Sequence, residues 1–171
     1  MTLQPKYATT QLWFFGTLAL GLFVAMVWHS WSLSPGIPAL QLTFDERSFK
    51  TILAQWGPDG IGLFRQHFLI DFPVLLSYGA FGYLLARDSI LFRPLDTWTR
   101  VLYGWAMPAA AALDAIENLL HLRLISEAAT HAPALYLIGG VVATGKWLLI
   151  ANFMAGTLYL LVAKWRENLK N

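Results

Sequence analysis

Four polar side chains interrupt an apolar stretch in the second half of the chain. Asp114, Glu117, Asn118 and His121 lie within the segment LDAIENLLH. At about 100° per residue, a helix brings all four into an arc of roughly 100°, so they form one polar stripe. Carboxyl and imidazole groups can transfer protons, so Asp114, Glu117 and His121 are the candidate catalytic residues. Asn118 is a candidate ligand-binding residue on the same stripe.

A second group of polar residues lies on the neighbouring apolar segments. His67 and Asp71 are four residues apart, and Tyr78 lies about 20° from His67 on a helix, so these three share a face. Lys146 is the one charged residue of the last apolar segment. Isolated ionisable groups in a membrane span cost about 2.5–3.5 kcal/mol each. We therefore expect Lys146 to pair with an acid of the first stripe, and all four residues to bind a ligand.

The composition indicates an integral membrane protein. Of the 171 residues, 57% are hydrophobic and 13% are charged, whereas soluble domains carry about 25% charged residues. The formal net charge is only +2 and no long basic run occurs, so nucleic acid is not an expected partner. Cysteine is absent, which excludes a disulfide framework.

Four apolar segments can supply the helices that position the polar residues. Each is long enough for a span, which needs about 20 mainly apolar residues, and backbone groups in lipid must be paired within helices. The first is longer than the core of a signal peptide, about 7–15 residues, so an uncleaved span is favoured. We predict an all-α, single-domain four-helix bundle over residues 1–171. The predicted spans are 12–33, 67–86, 101–122 and 134–163.

The segment between the first two spans contains one more predicted helix. Residues 44–56 have an amphipathic pattern, and Gly57 and Pro58 are typical of a helix end. We predict a short amphipathic helix in this first extracytoplasmic loop, where it lies on the bilayer surface or caps the bundle. Pro73 follows Asp71 closely, so Asp71 either caps a short helix or lies inside a longer, kinked one. The short version would span only about 22 Å, which favours the longer helix.

Positive charge in the loops predicts the orientation of the chain. Cytoplasmic loops of membrane proteins carry an excess of Lys and Arg. The side that holds both termini carries seven such residues and the other side carries four, so we predict a cell-membrane protein with cytoplasmic N- and C-termini. All four histidines, including His29 and His131, then lie toward the outer side. The seven are Lys6, Arg87, Arg93, Arg100, Lys164, Arg166 and Lys170, and the four are Arg47, Lys50, Arg65 and Arg123.

Two stretches, WGPDGIGLFRQHFLIDFPVLLSYG and LDAIENLLH, carry a resemblance. Their pattern of Trp-Gly, Asp before Pro, Tyr-Gly and then Asp-x-x-Glu-Asn resembles a group of small bacterial four-span membrane proteins to which no function is attached. That resemblance implies the four-span fold. More loosely, four spans with buried acids and a histidine look like bundles of the sterol-isomerase and sigma-2-receptor type, an analogy of fold that does not carry a function.

Besides proton- or ion-coupled transport, which would use the same acids in a dimer of the chain, three kinds of function remain open from the sequence. The leading hypothesis is an intramembrane site, open toward the outer leaflet, that binds or acts on a lipid-like or small hydrophobic ligand, with isomerisation or hydrolysis as the reaction if there is one. The second is a metal site in which Glu117, His121, His67 and Asp71 ligate zinc, iron or copper. The third is an accessory subunit of a larger membrane complex, or a homo-oligomer, in which the polar stripe holds helices together.

Overall fold

The protein is built from helices. The computed structural model describes residues 5–126 and 132–169, and every regular element in those two ranges is helical. The elements in chain order are α1 (Pro5–His29), α2 (Ile37–Gln41), α3 (Glu46–Asp88), a 3₁₀ turn (Ile90–Phe92), α4 (Thr97–Leu124) and α5 (Pro133–Asn168).

Three of these helices are long and apolar enough to cross a membrane: α1 from Thr9, α3 and α5. α4 falls outside that group because its polar stripe lowers its mean hydropathy. The observed helices extend past the predicted spans at most ends, since the chain stays helical through more polar residues beyond the apolar parts, as at 97–100 and 164–168. The first is the exception: the predicted span reached residue 33, whereas α1 ends at His29 and residues 30–33 form turns.

The long helices form an open row rather than a closed ring. α1 packs against α3, α3 packs against α4, and α4 packs against α5. Extensive contact between α1 and α5 is absent among the described residues. Small residues bring α3 and α4 close together, because a Cβ atom on Gly79 would lie 3.1 Å from that of Ala111. The gap between α1 and α5 leaves one side of the row open.

α3 consists of two helices that meet at Gly57, and the first of them is the amphipathic helix predicted for the segment between the first two spans. The predicted amphipathic helix at 44–56 begins at Glu46, and no loop separates it from the following span. The two parts join at Gly57, whose φ of 64° and ψ of −175° are the only non-helical values within α3. Such a conformation is essentially confined to glycine. The backbone then stays helical through Pro73, as expected for the longer helix, and the kink lies at Gly57.

Aspartates fix where two of the helices begin. The Asp45 carboxylate accepts a hydrogen bond from the Ser48 backbone N–H at 2.9 Å and starts α3. Asp96 does the same for α4 by accepting from the backbone N–H groups of Trp98 and Thr99. The hydrogen bonds from Ser48 lower the pKa of Asp45 below its usual value, because they stabilise the charged carboxylate.

Two apolar clusters form the core, one toward each end of the row. The cap cluster joins α2 and the first part of α3 to the ends of α4 and α5, and the basal cluster joins the opposite halves of α3, α4 and α5. The sequence did not predict α2, which completes the cap. The cap cluster consists of Leu33, Ile37, Leu40, Phe49, Trp56, Phe64, Phe68, Leu124, Ile125 and Tyr136, and the basal cluster of Ala86, Leu91, Phe92, Ala106, Met107, Phe153 and Leu160.

Candidate functional site

A layer of buried polar side chains lies between the two apolar clusters. All eight residues singled out from the sequence belong to it. Seven of them are at most 6% exposed, and Tyr78 is half-buried. α3 contributes His67, Asp71 and Tyr78, α4 contributes Asp114, Glu117, Asn118 and His121, and α5 contributes Lys146. We call this set the polar layer.

Lys146 is the centre of the layer. Its ammonium nitrogen lies 2.9 Å from Asp114 Oδ1 and 2.6 Å from Glu117 Oε2. The side chain is 2% exposed, and Glu117 is 0% exposed. A lysine this deeply buried needs paired carboxylates to offset the loss of hydration. The cation also lies 5.1 Å from the ring centroid of Trp147, within the range of a cation–π contact.

Two hydrogen bonds tie α3 to α4 within the layer. The Tyr78 hydroxyl donates to Asp114 Oδ2 at 3.0 Å, so Asp114 accepts from Tyr78 on one oxygen and from Lys146 on the other. The Asn118 amide donates to Asp71 Oδ2 at 2.5 Å. Tyr78, Asp114 and Lys146 thus form a chain of hydrogen-bonded groups that contains a phenolic hydroxyl, a carboxylate and an ammonium.

The two imidazoles lie on the cap side of the layer, among aromatic rings. Both His67 and His121 contact the ring of Phe64, with centroids 6.1 and 5.9 Å apart, and His121 also stacks on Phe49. His121 Nδ1 lies 3.5 Å from Glu117 Oε1, longer than a good hydrogen bond. The Nδ1 atoms of both histidines are buried without a hydrogen-bond partner among the described residues.

A cleft of about 550 Å³ opens between α1 and α5 and reaches the polar layer. Its walls are mainly apolar and come from every helix of the row and from α2. Its floor carries five residues of the polar layer: His67, Asp71, Tyr78, Asp114 and Lys146. The walls include Phe23, Met26, Val27, Trp31, Leu33, Ile37, Pro38, Val74, Met107, Trp147, Ile150 and Met154. This volume falls in the range typical of small-molecule sites, which are apolar cavities with a few polar groups.

The cleft divides the predicted site residues into two groups. The five floor residues can touch a ligand directly. Glu117, Asn118 and His121 do not line the cleft and lie behind the floor. Of the three candidate catalytic residues, only Asp114 therefore faces the cavity. Glu117 contacts Lys146 and Asn118 contacts Asp71, so these two hold floor residues in place.

The four residues proposed as alternative metal ligands do not form a ligand set. Within the ranges that the structure describes, no three His, Asp or Glu side chains are grouped closely enough to hold a metal ion. His29 is at the end of α1, where its Nε2 lies 3.3 Å from the carbonyl oxygen of Leu63. His131 lies outside the described residues.

Three residues that line the cleft near α2 were not predicted from the sequence: Gln41, Trp147 and Trp31. The Trp147 indole donates to the Gln41 side-chain oxygen at 3.3 Å, which ties α2 to α5. Trp31, in the turn that follows α1, lines the same cleft from the α1 side. Gln41 is a single polar residue in a turn-rich segment, and no spacing rule distinguishes it. Only the tertiary arrangement brings it to the site.

Comparison with protein families, curated proteins and solved structures finds no match to this chain.

Proposed function

We propose that the protein is a four-span membrane protein that binds a lipid-like or other small hydrophobic molecule in the cleft. The cleft supports this most directly, because its apolar walls end on a floor of ionisable side chains. An apolar molecule with one polar end matches that distribution. The cleft opens between two helices whose outer surfaces are apolar, so a ligand can enter sideways from the bilayer.

The surface of α4 supports its inclusion as the fourth span. Its buried face carries the polar stripe, while its outer face exposes large apolar residues, with Trp98 79%, Leu102 69% and Leu119 60% exposed. A polar interior and an apolar exterior suit a helix that is surrounded by lipid. The 28 residues of α4 extend about 42 Å, which exceeds the hydrocarbon thickness of about 30 Å.

The orientation in this proposal follows the loop charges. Both termini lie in the cytoplasm, and the cap lies outside. The cleft then opens toward the outer half of the bilayer, and membrane lipid is its nearest source of ligand. No charge pattern on the chain suggests nucleic acid as a partner.

The chemistry available at the floor is acid–base chemistry. Tyr78, Asp114 and Lys146 can donate and accept protons along one hydrogen-bonded chain, and all three line the cleft. If the bound molecule reacts, proton transfer in an isomerisation or a hydrolysis is the step these groups suit. Glu117 and His121, which lie behind the floor, would then act as positioning residues.

Blocking the cleft tests the proposal. Ile150 is half-buried and lines the cleft, so Ile150→Trp places a bulky ring in the cavity. Leu148 lies on the same helix but is 66% exposed on its outer surface, so Leu148→Trp is the matched control. Both variants are purified in mild detergent, and bound amphiphile is measured by native mass spectrometry.

We expect Ile150→Trp to lose most of the bound amphiphile and Leu148→Trp to keep the amount seen in the wild-type protein. Circular dichroism establishes that both variants keep their helices. Equal retention in the two variants would contradict the proposal, and so would a wild-type protein that carries no amphiphile in native membranes or detergent.

A further inference from the structure

The polar layer contains more acids than cations. Three carboxyl groups, those of Asp71, Asp114 and Glu117, share one ammonium group, that of Lys146. Lys146 makes ion pairs with Asp114 and Glu117. Among the described residues, no lysine, arginine or histidine nitrogen lies within ion-pair distance of Asp71. Its partner is the neutral amide of Asn118.

Asp71 also lines the cleft, so a ligand there can reach a carboxyl group that makes no ion pair among the described residues. It lines the floor together with His67, which lies one helical turn toward the cap. His29 at the end of α1 contacts Leu63, eight residues before Asp71. At 1.5 Å per residue, Asp71 therefore lies about 12 Å along α3 from Leu63 and the end of α1, deep in the apolar cleft. A carboxylate in such surroundings attracts a cation strongly, because water screens the charge poorly there.

We infer that the cleft takes an apolar molecule ending in a positively charged amine, and that it rejects molecules ending in a carboxylate or phosphate. The amine donates to Asp71 and completes the pairing that Lys146 provides for the other two acids. An anionic end group would meet Asp71 and Asp114 directly, and Lys146 is already held by two carboxylates. This inference rests on the proposed function, since it names the class of ligand for the same cleft.

Three probes with the same tail test the inference. Dodecylamine, dodecanol and dodecanoate differ only in the end group, so their binding to the wild-type protein isolates its contribution. Binding is measured by native mass spectrometry in a neutral detergent at neutral pH. We expect dodecylamine to bind at least about tenfold more tightly than dodecanol, because a buried, hydrogen-bonded charge pair contributes at least that much. We expect dodecanoate to bind more weakly than both.

Asp71→Asn is the matched variant, because it keeps the shape of the side chain and removes its charge. The preference for dodecylamine over dodecanol should fall by about tenfold in this variant, while dodecanol binding changes little. Glu46→Gln removes an exposed carboxylate from the cap and should leave all three affinities unchanged. Glu46 is paired with Lys50 at the surface and lies away from the cleft.

The outcomes separate this inference from the proposed function. Equal binding of amine and alcohol to the wild-type protein would overturn the inference and leave the cleft as a site for hydrophobic molecules. An amine preference that survives in Asp71→Asn would also overturn it. Binding of none of the three probes would count against both. The wild-type comparison stands even if Asp71→Asn does not fold.

Discussion

Removing the positive charge at Lys146 is the sharpest test of how the polar layer is held together. The variant Lys146→Met keeps a long, flexible side chain and deletes the ammonium group. Two carboxylates would lose their ion-pair partner at once, since the ammonium lies 2.9 Å from Asp114 and 2.6 Å from Glu117. Both acids are buried, with Asp114 6% and Glu117 0% exposed, so water cannot replace the lost partner.

The expected loss of stability is large. Breaking a buried ion pair by removing one partner costs about 3–5 kcal/mol, because an uncompensated charge stays buried. The whole stability of a typical domain is about 5–15 kcal/mol. The triple variant Lys146→Met, Asp114→Asn, Glu117→Gln should recover most of the loss, since it buries no charge from this cluster and keeps similar side-chain volumes.

The assay is unfolding of the detergent-solubilised protein by sodium dodecyl sulfate, followed by tryptophan fluorescence. Lys50→Met is the matched control, because Lys50 makes an ion pair with Glu46 at the surface, where the two side chains are 64% and 43% exposed. Exposed pairs contribute little to stability, so we expect no clear change. Equal effects of Lys146→Met and Lys50→Met would refute the stabilising role of the buried ammonium group, and so would a triple variant as unstable as Lys146→Met.

Three further predictions concern the backbone and the topology. Gly140→Ala should lower the free energy of unfolding by about 1–3 kcal/mol, because the new Cβ would lie 2.5 Å from the carbonyl oxygen of Thr43. Gly57→Ala should lower the free energy of unfolding by about 1–3 kcal/mol through backbone strain alone, since a Cβ atom added there would meet no other part of the structure within 4 Å. Gly62→Ala, also in open space, is the control for both in the same unfolding assay, and a similar loss there would contradict either prediction. The chain contains no cysteine, so single-cysteine variants can report its topology. A membrane-impermeant maleimide should label Thr51→Cys in intact cells and Lys164→Cys only after permeabilisation. The reverse pattern would show that the chain has the opposite orientation.

The sequence predicted the polar layer better than it predicted the cleft. Helical periodicity places Asp114, Glu117, Asn118 and His121 on one face, and the structure buries all four. The cost of an isolated charge in an apolar helix predicted a partner for Lys146, and the structure gives it two. Both features depend on residues within one helix or on a general energetic rule, so no tertiary information is needed to predict them.

The remaining features depend on information that periodicity does not contain. Gly57 followed by Pro58 is a helix-end signal, and the amphipathic helix does end there, but the second helix of α3 begins at once instead of after a loop. The order in which helices pack is set by the sum of many contacts, so the gap between α1 and α5 could not be predicted. The lining by Gln41 and Trp31 follows from that gap.

The position of the polar layer argues against a purely structural role. Hydrogen bonds between helices stabilise membrane bundles by only about 0.6 kcal/mol each on average, and small residues such as Gly79 and Ala111 already allow α3 and α4 to pack closely. Polar side chains that only hold helices together have no need to line a cavity, yet five residues of the polar layer line the cleft.

The triple neutral variant separates the two roles. If the layer only held helices together, Lys146→Met, Asp114→Asn, Glu117→Gln would be stable and would keep any bound amphiphile, because the cleft and its apolar walls are unchanged. If Asp114 and Lys146 contribute to recognising the polar end of a ligand beside Asp71, the variant should fold and yet bind less amphiphile than the wild-type protein, since both changes alter the floor directly. Native mass spectrometry on the same sample as the unfolding assay measures both properties. Full retention of amphiphile in a stable triple variant would assign the charged cluster to structure alone.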